Sequence, residues 1–300
     1  MNKLSEFRSG FVAIIGLPNV GKSTLLNSLI NQNLSIVTPK PQTTRNKILG
    51  ISSDNNSQIV FIDTPGLLKP EYLLQQVMMN YATSATKDSD LILYIVDAKE
   101  VNNVEKLFPI KLNLNKNQKS FLVINKIDLL KKEETLELIN KLSQLLKWDE
   151  IIPVSAIKKY NLEELKKVIT KYLPIHEPYY DTEQLSDKSE KFFVSEMIRE
   201  NIFKLFTKEV PYSTTVSIIE FKERTKNKFY IHAEIIVERK SQKIILIGKK
   251  GASLKKLGEL SRKRIEEFLE HQVYLELFVK VRENWRNSKN RLSEFGYSEE

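Results

Sequence analysis

The sequence predicts two domains of different class. The first is a doubly wound α/β domain with a mostly parallel sheet and helices on both faces. The second is a smaller α+β domain. Three observations carry this. Short apolar runs alternate with helix-period segments as far as Leu173. The alternation stops at Pro174-Ile175-His176-Glu177-Pro178, and a polar, acidic run follows from Tyr179 to Lys188. Beyond it, one helical period leads into runs with strand alternation. The expected division is residues 1–173, a linker at 174–189, and residues 190–300.

The first element is the run Phe11-Val12-Ala13-Ile14-Ile15, suited to a buried parallel strand. It leads into Gly16-Leu17-Pro18-Asn19-Val20-Gly21-Lys22-Ser23, which fits the phosphate-binding pattern G-x-x-x-x-G-K-[ST]. Thr24 to Ile30 then reads as a helix. Binding a di- or triphosphate needs many donors and little bulk. Gly16 and Gly21 let successive N–H groups turn inward, and the following helix adds the positive end of its dipole. Lys22 is expected to reach the β- and γ-phosphates, and Ser23 to place its hydroxyl on Mg²⁺.

The next strand, Gln58 to Ile62, ends in Asp63-Thr64-Pro65-Gly66, followed by Leu67. An Asp there can hold Mg²⁺ through water, and Gly66 can offer its N–H to a γ-phosphate. That contact exists only with a triphosphate, so the segment can switch. A third run, Leu91 to Asp97, reads as core. A fourth, Ser120 to Ile124, ends in Asn125-Lys126-Ile127-Asp128. The Asp128 carboxylate can accept from both N1–H and the exocyclic amine of guanine; adenine lacks that donor pair. Asn125 can bond the N7 side of the base and brace the loop at 16–23, while the Lys126 stem covers the ring. A fifth run, Ile151 to Val154, enters Ser155-Ala156, whose backbone can meet the guanine O6.

Each tetrapeptide alone is a common loop composition. Four in order, each after an apolar strand, resemble the motifs of the P-loop GTPases, and in particular the translation-factor-related members with Pro-Asn in the P-loop. The polar loop Thr38-Pro39-Lys40-Pro41-Gln42-Thr43-Thr44-Arg45 looks like their first switch. By analogy with relatives that carry Thr-Arg, Thr44 rather than Thr43 is the expected partner of Mg²⁺ and the γ-phosphate. Lys22, Thr44 and Gly66 are thus the expected catalytic contacts, and Ser23, Thr44 and Asp63 the expected Mg²⁺ site. In Ras-like GTPases a Gln after Asp-x-x-Gly orients the attacking water. Here Leu67 stands there, so slow intrinsic hydrolysis is expected. The resemblance also implies that Asn19 helps to bind a K⁺ ion, which supplies charge in place of an arginine finger.

In the second half, Glu190 to Thr207 carries apolar residues at a helical period. Thr214 to Phe221, Phe229 to Val237 and Lys243 to Ile247 read as strands. The last joins a following helix through Gly248-Lys249-Lys250-Gly251, with Lys255 and Lys256 beyond. Two glycines let the backbone approach phosphates, and the lysines neutralise them. The pattern resembles the G-x-x-G loop of a KH domain, which clamps about four nucleotides of single-stranded nucleic acid. A final strand, Val273 to Val281, completes the KH variant of bacterial ribosome-associated proteins, type II.

A Pro-Asn P-loop, Pro-Gln-Thr-Thr-Arg in the first switch and a terminal Gly-Lys-Lys-Gly KH domain together resemble the Era family, bacterial GTPases of small-subunit ribosome assembly. Glu209-Val210-Pro211-Tyr212-Ser213 and Lys280 to Arg286 fit as well, with Val210 where Leu is commoner. The resemblance implies GTP/GDP and Mg²⁺ as ligands and a grip on 16S rRNA near its 3′ end on the 30S subunit. It also implies a nucleotide-controlled switch and, in some members, peripheral membrane contact. A monomer is expected.

Composition agrees. The 300 residues carry 47 Lys and Arg against 38 Asp and Glu, a net charge of +9 that suits a polyanionic partner. There is no cysteine, which excludes disulfides, thiolate zinc sites and Cys nucleophiles. His176, His232 and His271 have no metal spacing, and Trp148 and Trp285 read as packing residues. No run approaches the ~18–20 apolar residues of a membrane span, and Met1 to Gly10 does not read as a signal peptide; a cytoplasmic protein is expected. A signalling GTPase whose basic half meets proteins or anionic lipid stays open as an alternative. A metabolic kinase has no need of Asp63 or Asn125 to Asp128.

Overall fold

The computed structural model describes residues 7–100, 118–145, 147–225 and 228–298, so the start of the chain at 1–6 and its last two residues lie outside the described residues. The first unit runs β1 (Arg8–Gly16), α1 (Lys22–Ile30), β2 (Ile48–Ser53), β3 (Ser57–Asp63), α2 (Leu73–Asp88), β4 (Leu91–Asp97), β5 (Lys119–Asn125), α3 (Lys132–Leu145), β6 (Glu150–Pro153) and α4 (Leu162–Tyr172). Its sheet has the order β2-β3-β1-β4-β5-β6, with every neighbour parallel except β2. The edge strand β2 is not among the strands expected. It is short, carries Gly50 and follows a loop, and its antiparallel partner comes later in the chain.

Alternation within each strand builds the two faces. Val12, Ile14, Phe61, Leu93 and Val123 pack with Leu25, Leu26 and Leu29 of α1 and Leu165 and Ile169 of α4. Ala13, Ile15, Val60, Tyr94 and Ile124 pack on the other side with Ala82 and Ala85 of α2 and Leu138 and Leu142 of α3. At roughly 1.5–3 kcal/mol for each fully buried large apolar side chain, these faces are the main stabilising term. The strand ends Gly16, Asp63, Asp97 and Asn125 all fall at one edge of the sheet, where ligands of open α/β sheets bind.

The segment expected as a linker is bonded to this unit as far as Asp187. The Ile51 N–H donates to the Leu185 carbonyl at 2.9 Å, and Gln58 Nε2 donates to the Tyr180 carbonyl at 2.9 Å. The chain forms two compact units, Met1–Pro70 with Met78–Asp187, and Glu71–Val77 with Lys188–Glu300, so the first residues of α2, Leu73–Val77, count with the second unit.

The second unit runs α5 (Glu190–Leu205), β7 (Thr215–Thr225), β8 (Lys228–Val237), α6 (Lys240–Ile247), α7 (Ala252–Leu269), β9 (Gln272–Val281) and α8 (Lys289–Glu294). Its sheet has the order β7-β8-β9, antiparallel then parallel. Ile231, Ala233 and Ile235 of β8 are fully buried, and Asn201 of α5 donates to Ser261 of α7 at 3.2 Å. Arg199 lies buried on α5 and is held by Glu196 of the same helix at 2.7 Å. Trp285 is 0% exposed and donates from Nε1 to the Ser213 carbonyl at 3.0 Å, so it is a packing residue and cannot stack on a base.

One expectation is corrected here. Lys243 to Ile247 is helix, not strand, and belongs to α6. A five-residue apolar run has no length to reveal its period. Gln242 decides it: its side-chain oxygen accepts from the N–H groups of Glu238 and Arg239, both at 3.0 Å, and caps a helix start. The Gly248–Gly251 loop therefore joins two helices. No described helix is long and apolar enough to cross a membrane.

Candidate functional site

The loop Gly16–Ser23 leaves the end of β1 and enters α1, whose N-terminus it supplies. Gly21 has φ +97, and a Cβ there would lie 2.3 Å from Asn125 Nδ2, so only glycine fits. Asn125 uses that amide to donate to the Val20 carbonyl at 2.9 Å, and its Oδ1 accepts from the Ala156 N–H at 3.0 Å. One side chain thus ties the Gly16–Ser23 loop to the segments at 125–128 and 155–156.

A cavity of about 360 Å³ opens over the loop, lined by Pro18, Asn19, Gly21, Lys22, Ser23, Thr24, Thr44, Gly66 and Lys126 among others. Lys22 lies at its floor and donates to the carbonyls of Leu17 at 2.7 Å and Gly16 at 3.1 Å. Burial pulls its ammonium down to about 8, against the opposing pull of the Asp63 carboxylate. Asp63, at the end of β3, is 0% exposed. Burial raises its carboxyl above the ordinary range, while the Ser23 hydroxyl and the Lys22 charge oppose that shift.

Ser23, Thr44 and Asp63 come together although they are far apart in sequence. Ser23 Oγ donates to Asp63 Oδ2 at 2.7 Å and lies 2.8 Å from Thr44 Oγ1. Asp63 Oδ1 is buried and has no hydrogen-bond partner. Among the described residues there is no group of three His, Cys, Asp or Glu that could hold a metal. A carboxylate with an unpartnered oxygen beside two hydroxyls is instead a hard oxygen set that fits Mg²⁺, which needs few protein ligands. The strip Asp63–Leu67 is fixed against β1: Thr64 Oγ1 donates to the Ile14 carbonyl at 2.8 Å and the Leu67 N–H to the Gly16 carbonyl at 3.0 Å. Thr64, Pro65 and the Leu67 side chain are buried, and Gly66 faces the cavity.

At the other end, Lys126 donates to the Asn19 carbonyl at 2.8 Å and to Asp97 Oδ2 at 2.6 Å. Asp97 is a residue that sequence reading missed; the strand that bears it was read as core alone. Its position at the end of β4, in register with Asn125, could have marked it. Asn19 donates from its side chain to the Pro39 carbonyl at 3.2 Å. Asp128 and Ser155 do not line this cavity. Ser155 Oγ donates to Asp128 Oδ1 at 2.5 Å, and both face a neighbouring cavity of about 530 Å³ with Ile127, Leu130 and Leu136. That bond uses one acceptor position on Oδ1 and leaves Oδ2 of Asp128 to accept further donors.

In the second unit, Gly248 has φ +73, and a Cβ there would sit 2.2 Å from Ser253 Oγ. Lys250 and Gly251 also lie in the left-handed region, at φ 51 and φ 80. These conformations turn the loop outward, and Lys249, Lys250, Lys255 and Lys256 are all exposed around it. Beside it Ile244 is 70% exposed, a bare apolar surface next to four ammonium groups.

Residues 11–126 match a family described as 50S ribosome-binding GTPase, and residues 209–286 match the KH domain. GTPase Era of Clostridium botulinum (strain Hall) is 43% identical over 97% of this chain and 98% of that protein. The chain belongs to the Era GTPase family. GTPase Era of Clostridium kluyveri is 45% identical, over 97% of this chain and 99% of its own length. An Aquifex aeolicus Era variant bound to GDP and AlF4⁻ superposes with a TM-score of 0.93, at 40% identity over 98% of this chain and 100% of that chain. Era in complex with MgGDPNP and nucleotides 1506–1542 of 16S ribosomal RNA gives 0.92 at 39% identity, with the same coverage. The KH domain of this Era family member has the order helix, two strands, two helices about the G-x-x-G loop, strand.

Proposed function

We propose that this chain is a GTP-hydrolysing switch that grips single-stranded 16S rRNA near its 3′ end and assists assembly of the 30S subunit. The observation that carries this is that one relative, matched over its whole length, holds MgGDPNP and nucleotides 1506–1542 of 16S rRNA together. In this reading residues 1–173 form the GTPase domain and 190–300 the KH domain. Gly16 to Thr24 wrap the phosphates, with Lys22 on the β- and γ-phosphates. Asn125, Lys126, Asp128, Ser155 and Ala156 hold the guanine. Ser23, Thr44 and Asp63 would hold Mg²⁺, which neutralises charge on the phosphates when bound. Gly66 donates its N–H to the γ-phosphate, and water attack yields GDP and phosphate. Leu67 offers the water no polar atom, which supports a slow intrinsic rate.

Gly248, Lys249, Lys250, Gly251, Lys255 and Lys256 grip the RNA. The protein works in the cytoplasm as a monomer; its charge of +9 is the feature that would draw it to an anionic membrane surface. Pull-down from a lysate with and without nuclease tests the RNA reading. Ribosomal partners should be lost after nuclease, and their retention would favour a protein contact.

Asn19 lines the cavity and donates to the Pro39 carbonyl through its amide nitrogen; in this reading its side-chain oxygen binds K⁺. GTP turnover should then be faster in KCl than in NaCl at equal ionic strength. Equal rates remove the ion from the mechanism.

A further inference from the structure

The loop that delivers Thr44 is closed by a ring of hydrogen bonds whose direction follows from counting protons. Thr38 Oγ1 accepts from the Lys40 N–H at 3.2 Å and lies 2.7 Å from Thr43 Oγ1. Thr43 Oγ1 donates to the Lys40 carbonyl at 2.7 Å. A hydroxyl has one proton. Thr43 uses its proton on Lys40, so Thr38 must donate to Thr43. The approach of Thr38 Oγ1 to the same carbonyl, at 3.5 Å, is too long to compete. The ring runs one way: Lys40 N–H to Thr38, Thr38 to Thr43, Thr43 to the Lys40 carbonyl. Bonds chained in one direction polarise and strengthen one another.

The same count applies next door. Ser23 gives its proton to Asp63, so Thr44 donates to Ser23. Thr43 and Thr44 are adjacent, and both are buried, at 8% and 9% exposed. Yet their hydroxyls serve separate networks, one internal to the loop and one at the metal-binding oxygens. Between Lys40 and Thr43 the backbone turns through Gln42 at φ 58, a conformation a non-glycine residue adopts at a cost. The ring spans that turn and holds it.

We propose that Thr38 and Thr43 are positioning residues for hydrolysis. Their ring presets the backbone that carries Thr44 to Ser23 and Asp63, so the triphosphate state orders the loop at little entropic cost. This rests on the GTPase reading above. GDP has no γ-phosphate for Thr44 to meet, so the ring matters to GTP turnover and not to GDP affinity.

The test measures kcat, KM and GDP affinity for Thr43→Val, Thr43→Ser, Thr38→Val and the double Thr38→Val/Thr43→Val variant. Each single valine variant should lower kcat about tenfold, as expected for losing one or two net hydrogen bonds, with GDP affinity unchanged. Thr43→Ser keeps the hydroxyl and should restore kcat. The ring is one unit, so the double variant should be no worse than either single one. Unchanged kcat in both valine variants, additive losses, or a serine variant as slow as valine would overturn the proposal. So would an equal loss of GDP affinity, which marks a collapsed loop. Failure of the wild type to turn over GTP would instead overturn the GTPase reading.

Discussion

Replacing Lys249 and Lys250 together by glutamate should weaken binding of a single-stranded 16S 3′-end oligonucleotide roughly 100-fold near physiological salt. Two phosphate contacts are lost and their sign is reversed; the salt slope should fall by about 1.4 for the two contacts alone. Both lysines are exposed on the loop between α6 and α7, so the change costs the core nothing. GTP turnover without RNA should match the wild type, because every oxygen and nitrogen assigned to the nucleotide lies in the first unit. Filter binding and a phosphate-release assay read the two effects separately. Loss of both activities would contradict the division of labour.

Asp128→Asn should lower GTP affinity on the order of 100-fold and turn the preference toward xanthosine triphosphate. A carboxylate accepts from N1–H and the exocyclic amine of guanine, and hydrogen bonds to a charged group are worth about 1.5–3 kcal/mol. An amide keeps one acceptor and presents a donor to the xanthine O2. Ser155 donates to Asp128 at 2.5 Å and can equally serve the amide oxygen, so the local fold survives. Competition of labelled GTP by each triphosphate measures the shift. An unchanged guanine preference would remove Asp128 from base reading.

Much of the first unit was legible because chemistry sits where strands end. Gly16, Asp63 and Asn125 close strands whose apolar runs are unmistakable, and parallel order places those ends side by side. Local sequence could not show β2, whose only evidence is its antiparallel register with β3. It also misled at α6. Ile244 and Ile245 look like strand residues, but they are 70% and 48% exposed on a helix, where Leu246 alone of the run is fully buried. Asp97 was invisible as a site residue because its role depends on Lys126, twenty-nine positions later and one strand over. The hydroxyl ring of Thr38 and Thr43 is local, but it depends on a turn through Gln42 at positive φ that a non-glycine residue does not announce in sequence. Sequence could choose between Thr43 and Thr44 only by analogy, whereas the geometry gives each hydroxyl its own partner.

The central claim is that one chain couples the nucleotide it holds to the RNA it grips. The most direct measurement is the affinity of the full chain for a fluorescent oligonucleotide copied from the 16S 3′ end, first loaded with MgGDPNP and then with GDP. The GDPNP form should bind more tightly, by at least about fivefold, the lower end of ordinary coupling between sites. Equal affinities in the two states would leave a GTPase and an RNA-binding domain side by side and would contradict the switch.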